Sequence, residues 1–281
     1  MDIAYLVFDI ETVADGRLVQ RVRYPDEPTL TPAEAVARYR AKLMADNGSD
    51  FIPHTFQLPV SVAIAKVGKD YALLDLCTLD RPAFRPQVIA RQFWKGWQHY
   101  GQPTLVTFNG RGFDLPVLEM CAFRYGIAVP AWFKNEGPNW EQPRNRYAST
   151  GHFDLQEFLT SFGATRQSGG LDLLATVLGK PGKMGTKGHM VQDLWEAGAA
   201  QRIDDYCICD ALDTYFVFLR CQLLRGKLPA GREQELVAQA RTVIEERAVG
   251  NPALGEYLAR FGDWRPVDDD SWPFLDPADR R

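Results

Sequence analysis

The chain has 281 residues, of which 46% are hydrophobic and 12% aromatic, and its formal net charge is −4. This composition supplies enough apolar surface for one large domain and excludes a chain that is disordered throughout. The charge is not that of a strongly basic nucleic-acid-binding protein. A cluster of acidic metal ligands would itself make the charge balance more negative, so the acidity argues only weakly against a nucleic-acid partner.

The pattern of apolar runs and cysteines indicates a cytoplasmic protein. No apolar run is long enough for a membrane span, and the N-terminus lacks the basic start of a signal peptide. The five cysteines are odd in number and match no zinc-binding pattern, so we expect reduced thiols. No association with a membrane is predicted.

The first predicted element is a buried strand over residues 3–10, which delivers two acids at its end. Side chains alternate along a strand, so Asp9 and Glu11 point to the same face. Two neighbouring carboxylates repel each other unless a cation lies between them. The pattern therefore indicates a metal site or, with about equal weight, two solvated acids at a strand end.

Residues 14–52 are predicted to be an insertion between strands. A helix is expected over about 33–45, with Thr31 as its N-cap and Glu34 completing a capping box. Gly48 is predicted to follow the end of this helix. The sequence assigns no role to the insertion.

The rest of the chain predicts a mixed α/β protein. Strands are expected over 58–67, 71–78 and 104–108. Helices are expected over 86–99, 114–125, 154–162, 171–178, 202–224 and 232–248. The tail from Pro266 is rich in Asp and Pro and is expected to be weakly ordered.

Two later motifs carry further acids. Residues 109–114 predict a strand-to-helix turn that leaves Asp114 at a helix N-terminus, where an acid is favourable on electrostatic grounds alone. Tyr206 and Asp210 are four residues apart on a predicted helix and project from one face. That pair is either part of a site or a surface hydrogen bond.

Basic residues lie between these acidic motifs. The loop 180–188 contains three lysines, and it is either a solvated surface or a set of phosphate contacts. The same two interpretations apply to three arginines: Arg144, Arg146 and Arg166.

Together the three acidic motifs resemble those of the DEDD superfamily of 3′–5′ exonucleases, in the branch with Tyr in the third motif. They read Asp9-x-Glu11, Asn109-Gly110-x-x-Phe113-Asp114 and Tyr206-x-x-x-Asp210. The surrounding residues are most similar to stand-alone proteins related to the exonuclease domain of B-family DNA polymerases. The resemblance covers about residues 3–225 and implies an α/β, RNase H-like fold with a five-stranded mixed sheet flanked by helices. The fifth strand that it implies is expected within 128–153, at Arg146 to Ala148. We expect residues 1–228 to form this domain and 229–281 to be its C-terminal helical extension and tail.

The resemblance also implies roles for the acids. Asp9 would bridge two divalent metal ions, Mg²⁺ or Mn²⁺, and Glu11 and Asp210 would complete the first metal site. Asp114 would hold the second ion, directly or through water. Tyr206 would orient or deprotonate the attacking water.

Contacts to nucleic acid follow from the same resemblance. The implied contact residues are Thr12, Asn109, Phe113 and Lys183. Lys180 and Lys187 compete with Lys183 as the lysine that contacts phosphate. Trp132 and Trp140 are further candidates for base stacking, and Asp154 matches an acid of the family that supports the site without binding metal.

The expected reaction is hydrolysis of phosphodiester bonds from the 3′ end of single-stranded DNA, with release of nucleoside 5′-monophosphates. An exoribonuclease of the same superfamily is an open alternative, because the metal chemistry would be identical. A catalytically silent nucleic-acid-binding module is disfavoured by the complete set of four acids and Tyr206. An endonucleolytic RNase H is disfavoured by the Tyr-x-x-x-Asp spacing on the late helix. The sequence indicates no protein partner.

Overall fold

The structure is a computed structural model that describes residues 2–185 and 188–264. Its five strands form one mixed sheet in the order β3-β2-β1-β4-β5. They are β1 (Ile3–Ala14), β2 (Gln57–Gly68), β3 (Leu73–Thr78), β4 (Thr104–Thr107) and β5 (His152–Asp154). The central strand β1 is antiparallel to β2 and parallel to β4. The predicted five-stranded mixed sheet is therefore confirmed.

Helices cover both faces of this sheet. In chain order they are α1 (Gly16–Arg23), α2 (Pro32–Asn47), α3 (Pro86–His99), α4 (Asp114–Tyr125), α5 (Leu155–Leu159), α6 (Gly170–Val177), α7 (Val191–Glu196), α8 (Ala200–Leu224), α9 (Ala230–Ala248) and α10 (Pro252–Ala259). No helix in the described parts of the chain is both long enough and apolar enough to cross a membrane. All five cysteines are free. The predicted tail from Pro266 lies outside the described residues.

The alternation of β1 separates two cores. Leu6, Phe8 and Ile10 pack in one core with α3 and α4. Val7 packs in the other, with residues of α8, α9 and α10. From Tyr5 onward to Glu11 the odd-numbered side chains of β1 consequently face α8, which decides where Asp9 and Glu11 point.

Helix α8 is buried on more than one side. Ile208 and Leu212 are buried, and so are Asp213 and Thr214. The sheet contacts one side of α8, and α6, α9 and α10 contact others. The polar side chains of Asp213 and Thr214 are thus held inside the protein rather than at its surface.

The fifth strand begins at the end of the predicted range 128–153, and its placement at Arg146 to Ala148 was wrong. The strand is β5 (His152–Asp154), which pairs in parallel with β4 through Thr107 and Asp154. A strand of three residues is too short to show an alternating pattern, and it exists because β4 offers it a partner. This pairing brings Asp154 beside the turn that follows β4.

The inserted segment between β1 and β2 is a pair of helices with its own small core. The capping box of α2 is present as predicted, with Glu34 N–H donating to Thr31 Oγ1 over 3.3 Å. Helix α1 was not predicted, and neither was α10. Gly16 allows α1 to approach α2 closely, because a Cβ at Gly16 would lie 2.5 Å from the Pro32 carbonyl oxygen. The buried core residues are Val19, Ala35, Val36, Tyr39, Ile52 and Phe56.

Candidate active site

Three predicted acids converge between β1 and α8. Carboxylate oxygens of Asp9, Glu11 and Asp210 all lie within 4.8 Å of one another. The Cys207 thiol donates to the Asp9 carbonyl oxygen over 3.3 Å and connects α8 to β1 at this level. The alternation along β1 thus presents both of its acids to the same turn of α8.

The electrostatics of this three-acid cluster favour a cation. Burial and repulsion from Asp210 raise the pKa values of Asp9 and Glu11 well above the ordinary range. Burial also raises the pKa of Asp210, to about 6. Within the described residues, Asp9 Oδ2 is buried without a hydrogen-bonding partner. An all-carboxylate donor set with a buried, unpartnered oxygen fits a hard divalent ion such as Mg²⁺ or Mn²⁺.

Asp114 lies beside this cluster but is not among its three converging acids. It begins α4 and is 6% exposed. The β4 strand pairs with β1 only as far as Val7, so the following edge of β1 is open to Asp114. Burial raises the pKa of Asp114 to about 7, while backbone N–H groups, including that of Ile10, stabilise its charged form.

Tyr206 lies one helical turn before Asp210 and its side chain interacts with that of Asp210. Burial, and then the charges of Asp210, Glu11 and Asp9, raise the Tyr206 pKa far above its ordinary value. The phenol is therefore protonated near neutral pH and acts as a hydrogen-bond donor.

The turn between β4 and α4 is fixed by contacts from Asp154, which the resemblance implied as a supporting acid, and from Thr107, which the sequence did not indicate. Asp154 accepts hydrogen bonds from the backbone N–H groups of Asn109 and Arg111, at 3.1 and 2.9 Å. Thr107 Oγ1 accepts from the Gly110 N–H at 3.1 Å and lies 2.8 Å from His152 Nε2. The bonds of Asp154 and the Thr107–His152 contact join residues 43 to 45 positions apart, which β4–β5 pairing brings together.

The same turn requires a glycine and an unusual backbone angle. A Cβ at Gly110 would lie 2.4 Å from Thr107 Oγ1, so a larger residue would disturb the turn. Asn109 has a φ of +64°, in the left-handed region that Asn tolerates better than most residues. The Asn-Gly pair of the motif is thus explained by backbone geometry before any contact with a substrate is considered.

A cavity of about 460 Å³ opens next to the three-acid cluster. Glu11 lines it together with three of the predicted contact residues: Thr12, Phe113 and Lys183. The fourth, Asn109, is exposed on the turn and is not part of this lining. The cavity continues away from Glu11 toward the inserted helices.

The position of Lys183 is set by its loop. Asp172 Oδ1 accepts from the Lys183 backbone N–H at 2.7 Å. At Gly182, φ is +62° and a Cβ would lie 2.4 Å from Asp172 Oδ1. The charge of Lys183 lowers the pKa of Glu11 and of Asp210, against the larger effect of burial. Lys183 is therefore the described lysine of the loop that acts electrostatically on the acids.

Other basic and aromatic candidates are placed elsewhere. The prediction that Lys180 could contact phosphate is wrong, because Lys180 is buried and its Nζ donates to the Gly262 carbonyl oxygen at 2.9 Å. The prediction that Trp132 could stack on a base is also wrong, because Trp132 lies in the core and is 1% exposed. Trp140 is exposed, and Lys187 lies outside the described residues.

The arginines of the loop region differ in their surroundings. Arg144 pairs with Glu119 at 2.7 Å, and Arg146 pairs with Glu157 at 2.8 Å. Arg166 is exposed. Compensation of their charges leaves Arg144 and Arg146 with less attraction for phosphate than a lone arginine would have.

Comparison with known proteins agrees with this arrangement. The polymerase of family B from the hyperthermophilic archaeon Pyrobaculum calidifontis is similar in structure, with a TM-score of 0.50 and 14% sequence identity. The match covers 95% of this chain and 31% of the polymerase, so the chain spans about a third of that protein. At this identity the likeness shows a shared fold, which is RNase H-like. No curated protein sequence matches the chain.

A family model matches residues 49–261, about three quarters of the chain. The match includes Asp114, Tyr206 and Asp210, whereas Asp9 and Glu11 precede it and are brought to Asp210 by the fold. The model is described as a predicted 3′–5′ exonuclease related to the exonuclease domain of PolB, and the chain belongs to this family.

Proposed function

We propose that this protein is a metal-dependent 3′–5′ exonuclease that hydrolyses phosphodiester bonds at the 3′ end of single-stranded DNA and releases nucleoside 5′-monophosphates. The observation that carries the proposal is the convergence of Asp9, Glu11 and Asp210 within 4.8 Å. Three clustered carboxylates, of which Glu11 and Asp210 are buried, are costly to keep together without a compensating cation. A role in holding metal ions explains their arrangement.

The acids divide into two sets around Asp9. Asp9, Glu11 and Asp210 would hold one divalent ion, and Asp9 with Asp114 would hold a second, with Asp114 acting directly or through water. The ions, Mg²⁺ or Mn²⁺, supply an activated water and stabilise the departing 3′-oxygen. Asp114 lies apart from the three converging acids, which is consistent with its separate role in this scheme.

Tyr206 would position the attacking water rather than remove its proton. A phenol that stays protonated donates a hydrogen bond and is a poor general base. Tyr206 lies one helical turn before Asp210, so the two side chains project from the same face of α8. A carboxylate of the cluster, not Tyr206, would therefore accept the proton of the attacking water.

The substrate end would be held by residues around the cavity. Lys183 would neutralise a backbone phosphate, and Phe113 would stack against a base. Thr12 would contact the terminal nucleotide from β1, and Asn109 would contact it from the turn. DNA is favoured over RNA in this proposal because the family is related to a DNA polymerase domain.

Purified protein with Mn²⁺ and a 5′-labelled single strand tests the proposal. We expect a ladder that shortens from the 3′ end of DNA, loss of this ladder in EDTA, and loss in Asp9→Ala or Asp210→Ala. Circular dichroism establishes that both variants are folded. Asp205→Ala is a matched control, because Asp205 lies on the same helix but outside the cluster.

Three other outcomes would each contradict a part of the proposal. Wild-type rates in either cluster variant would contradict the metal assignment. Shortening of RNA in preference to DNA would replace the proposed substrate with RNA. Binding of a strand without cleavage under any metal condition would reject the enzyme.

A further inference from the structure

Phe51 is an exposed aromatic residue at the mouth of the cavity beside the acids. It lies in the segment that leads from α2 to β2 and is 59% exposed. Its ring centroid lies 5.5 Å from that of Phe113, and the two ring planes are inclined by 56°. Phe113 was implied as a base contact by the sequence motif, whereas nothing in that motif involves Phe51.

The residues on both sides of Phe51 are held in place. Ile52 is 4% exposed within the core of the inserted segment, and its carbonyl oxygen accepts from Gln57 Nε2 at 2.9 Å. Asp50 Oδ2 accepts from Arg40 Nε at 2.9 Å, which ties the loop to α2. Phe51 is thus presented to solvent by an anchored backbone, in a fixed direction.

The inserted segment forms one wall of the cavity. Val36, Arg40 and Phe51 line this wall, opposite Glu11 and Thr12 of β1. The volume of about 460 Å³ is in the range of pockets that hold small ligands. A cavity lined by an exposed aromatic ring and by Lys183 suits a nucleotide better than it suits a purely apolar ligand.

We propose that the inserted segment, residues 14–52, forms the second wall of the pocket for the 3′ end, and that Phe51 stacks with Phe113 on an unpaired base among the last two nucleotides. The inference rests on the proposed exonuclease function and adds its substrate requirement, an unpaired nucleobase at the 3′ end. Arg40 is a positioning residue in this arrangement, because its bond to Asp50 holds the loop that carries Phe51.

The contribution of stacking can be isolated by removing the base instead of the side chain. Base–aromatic stacking removed by an alanine substitution weakens binding by about 5-fold to 100-fold per base. The loss of affinity caused by removing the Phe51 ring and the loss caused by removing the terminal bases should therefore not add. A strand with abasic sites at its last two positions provides the partner deletion.

The experiment compares two 5′-labelled single-stranded DNAs, one natural and one abasic at the last two positions. Affinity is measured by fluorescence anisotropy in EDTA, and KM and kcat are measured with Mn²⁺. We expect Phe51→Ala to raise Kd and KM for the natural strand by about 10-fold and to leave those for the abasic strand unchanged. Phe51→Tyr should bind both strands like wild type. Phe123→Ala removes a phenylalanine that is 84% exposed on α4 and should change neither.

The outcomes separate this inference from the proposed function. Equal effects of Phe51→Ala on the two strands, or no effect on either, would overturn the stacking role even if the wild-type protein cleaves DNA. A base-dependent loss of binding in a wild-type protein that never cleaves would support Phe51 and reject the exonuclease. Failure of the wild-type protein to bind or cleave the natural strand would overturn both.

Discussion

The carboxylate of Asp154 accepts a hydrogen bond from the backbone N–H of Asn109 over 3.1 Å, although the two residues are 45 positions apart. The same carboxylate accepts from the N–H groups of Arg111, Gln156 and Glu157. One side chain therefore caps α5 and fixes the turn that leads into Phe113 and Asp114. The acid supports the candidate site through the backbone.

Asp154→Ala should destabilise the protein and slow cleavage. The substitution removes a helix cap, worth about 1 kcal/mol, and leaves backbone N–H groups in a partly buried turn without acceptors. We expect a loss of about 2 to 4 kcal/mol in the free energy of unfolding, measured by urea denaturation. The rate should fall because the turn that carries Asp114 is less well held.

Asp46→Ala is the matched control for Asp154→Ala. Asp46 forms an exposed ion pair with Lys42 on α2, and such pairs contribute at most about 1 kcal/mol. A wild-type free energy of unfolding in Asp154→Ala would show that the turn does not depend on this carboxylate.

The acids of the candidate site could be predicted from local sequence patterns. The residues around them are brought together by contacts between distant parts of the chain. Asp9 and Glu11 follow from the two-residue period of a strand, and Tyr206 and Asp210 follow from the four-residue period of a helix. Both periods can be recognised in the local sequence. The approach of β1 to α8, which converts two pairs into one cluster, follows from packing across the sheet.

The missed elements show where local patterns fail. β5 has three residues and depends on its pairing with β4, so its own sequence carries no strand signal. Helix α1 begins at Gly16, which is a poor helix former but is required by the close approach of Pro32. Lys180 and Lys183 both follow a glycine in one loop, and only the fold shows that Lys180 contacts Gly262 instead of the acids.

Divalent ions should stabilise the protein through the three-acid cluster. A ligand that binds only the folded state at 100 times its Kd adds about 2.7 kcal/mol, which corresponds to a rise of several degrees in Tm for a chain of this size. We expect Mn²⁺ or Mg²⁺ to raise Tm in differential scanning fluorimetry. Asp210→Asn should have a higher Tm than wild type in EDTA, because a buried charge is removed, and should lose most of the metal-induced shift. An identical shift in both proteins would place the ions elsewhere.

The stability of the metal-free protein should fall as pH rises toward neutrality. The folded-state pKa values of Asp210 and Asp114 are raised from 3.8 to about 6 and about 7. The folded state therefore keeps protons that the unfolded state has lost, and this contribution to stability disappears as pH rises through that interval. In EDTA, Tm should decrease from about pH 5 to about pH 7.5, and Asp210→Asn should reduce the slope. A Tm that rises over this range would contradict the raised pKa values.

Tyr206→Phe should slow cleavage without preventing metal binding. The substitution removes only the hydroxyl that is proposed to orient water, so kcat should fall by up to about 100-fold while the metal-induced shift in Tm remains. Steady-state rates and fluorimetry on the same preparation measure the two effects. Tyr147→Phe alters an exposed tyrosine and serves as the control. An unchanged kcat in Tyr206→Phe would remove Tyr206 from the mechanism.

The C-terminal helices are joined to the rest of the protein by a buried polar contact. The Tyr257 hydroxyl on α10 donates to Asp213 Oδ1 on α8 over 2.6 Å, and both residues are buried. We propose on this basis that α9 and α10 belong to the same folding unit as the sheet.

Tyr257→Phe should destabilise the whole unit. It leaves Asp213 buried without its donor, which costs about 1 to 3 kcal/mol, and the loss should appear as a lower midpoint in urea with an unchanged m-value. Asp213→Asn tests the contact from the other side, since an amide oxygen still accepts from the tyrosine and the loss should be smaller. If α10 unfolded independently, Tyr257→Phe would instead produce a second, earlier transition, and the main midpoint would stay where it is in wild type.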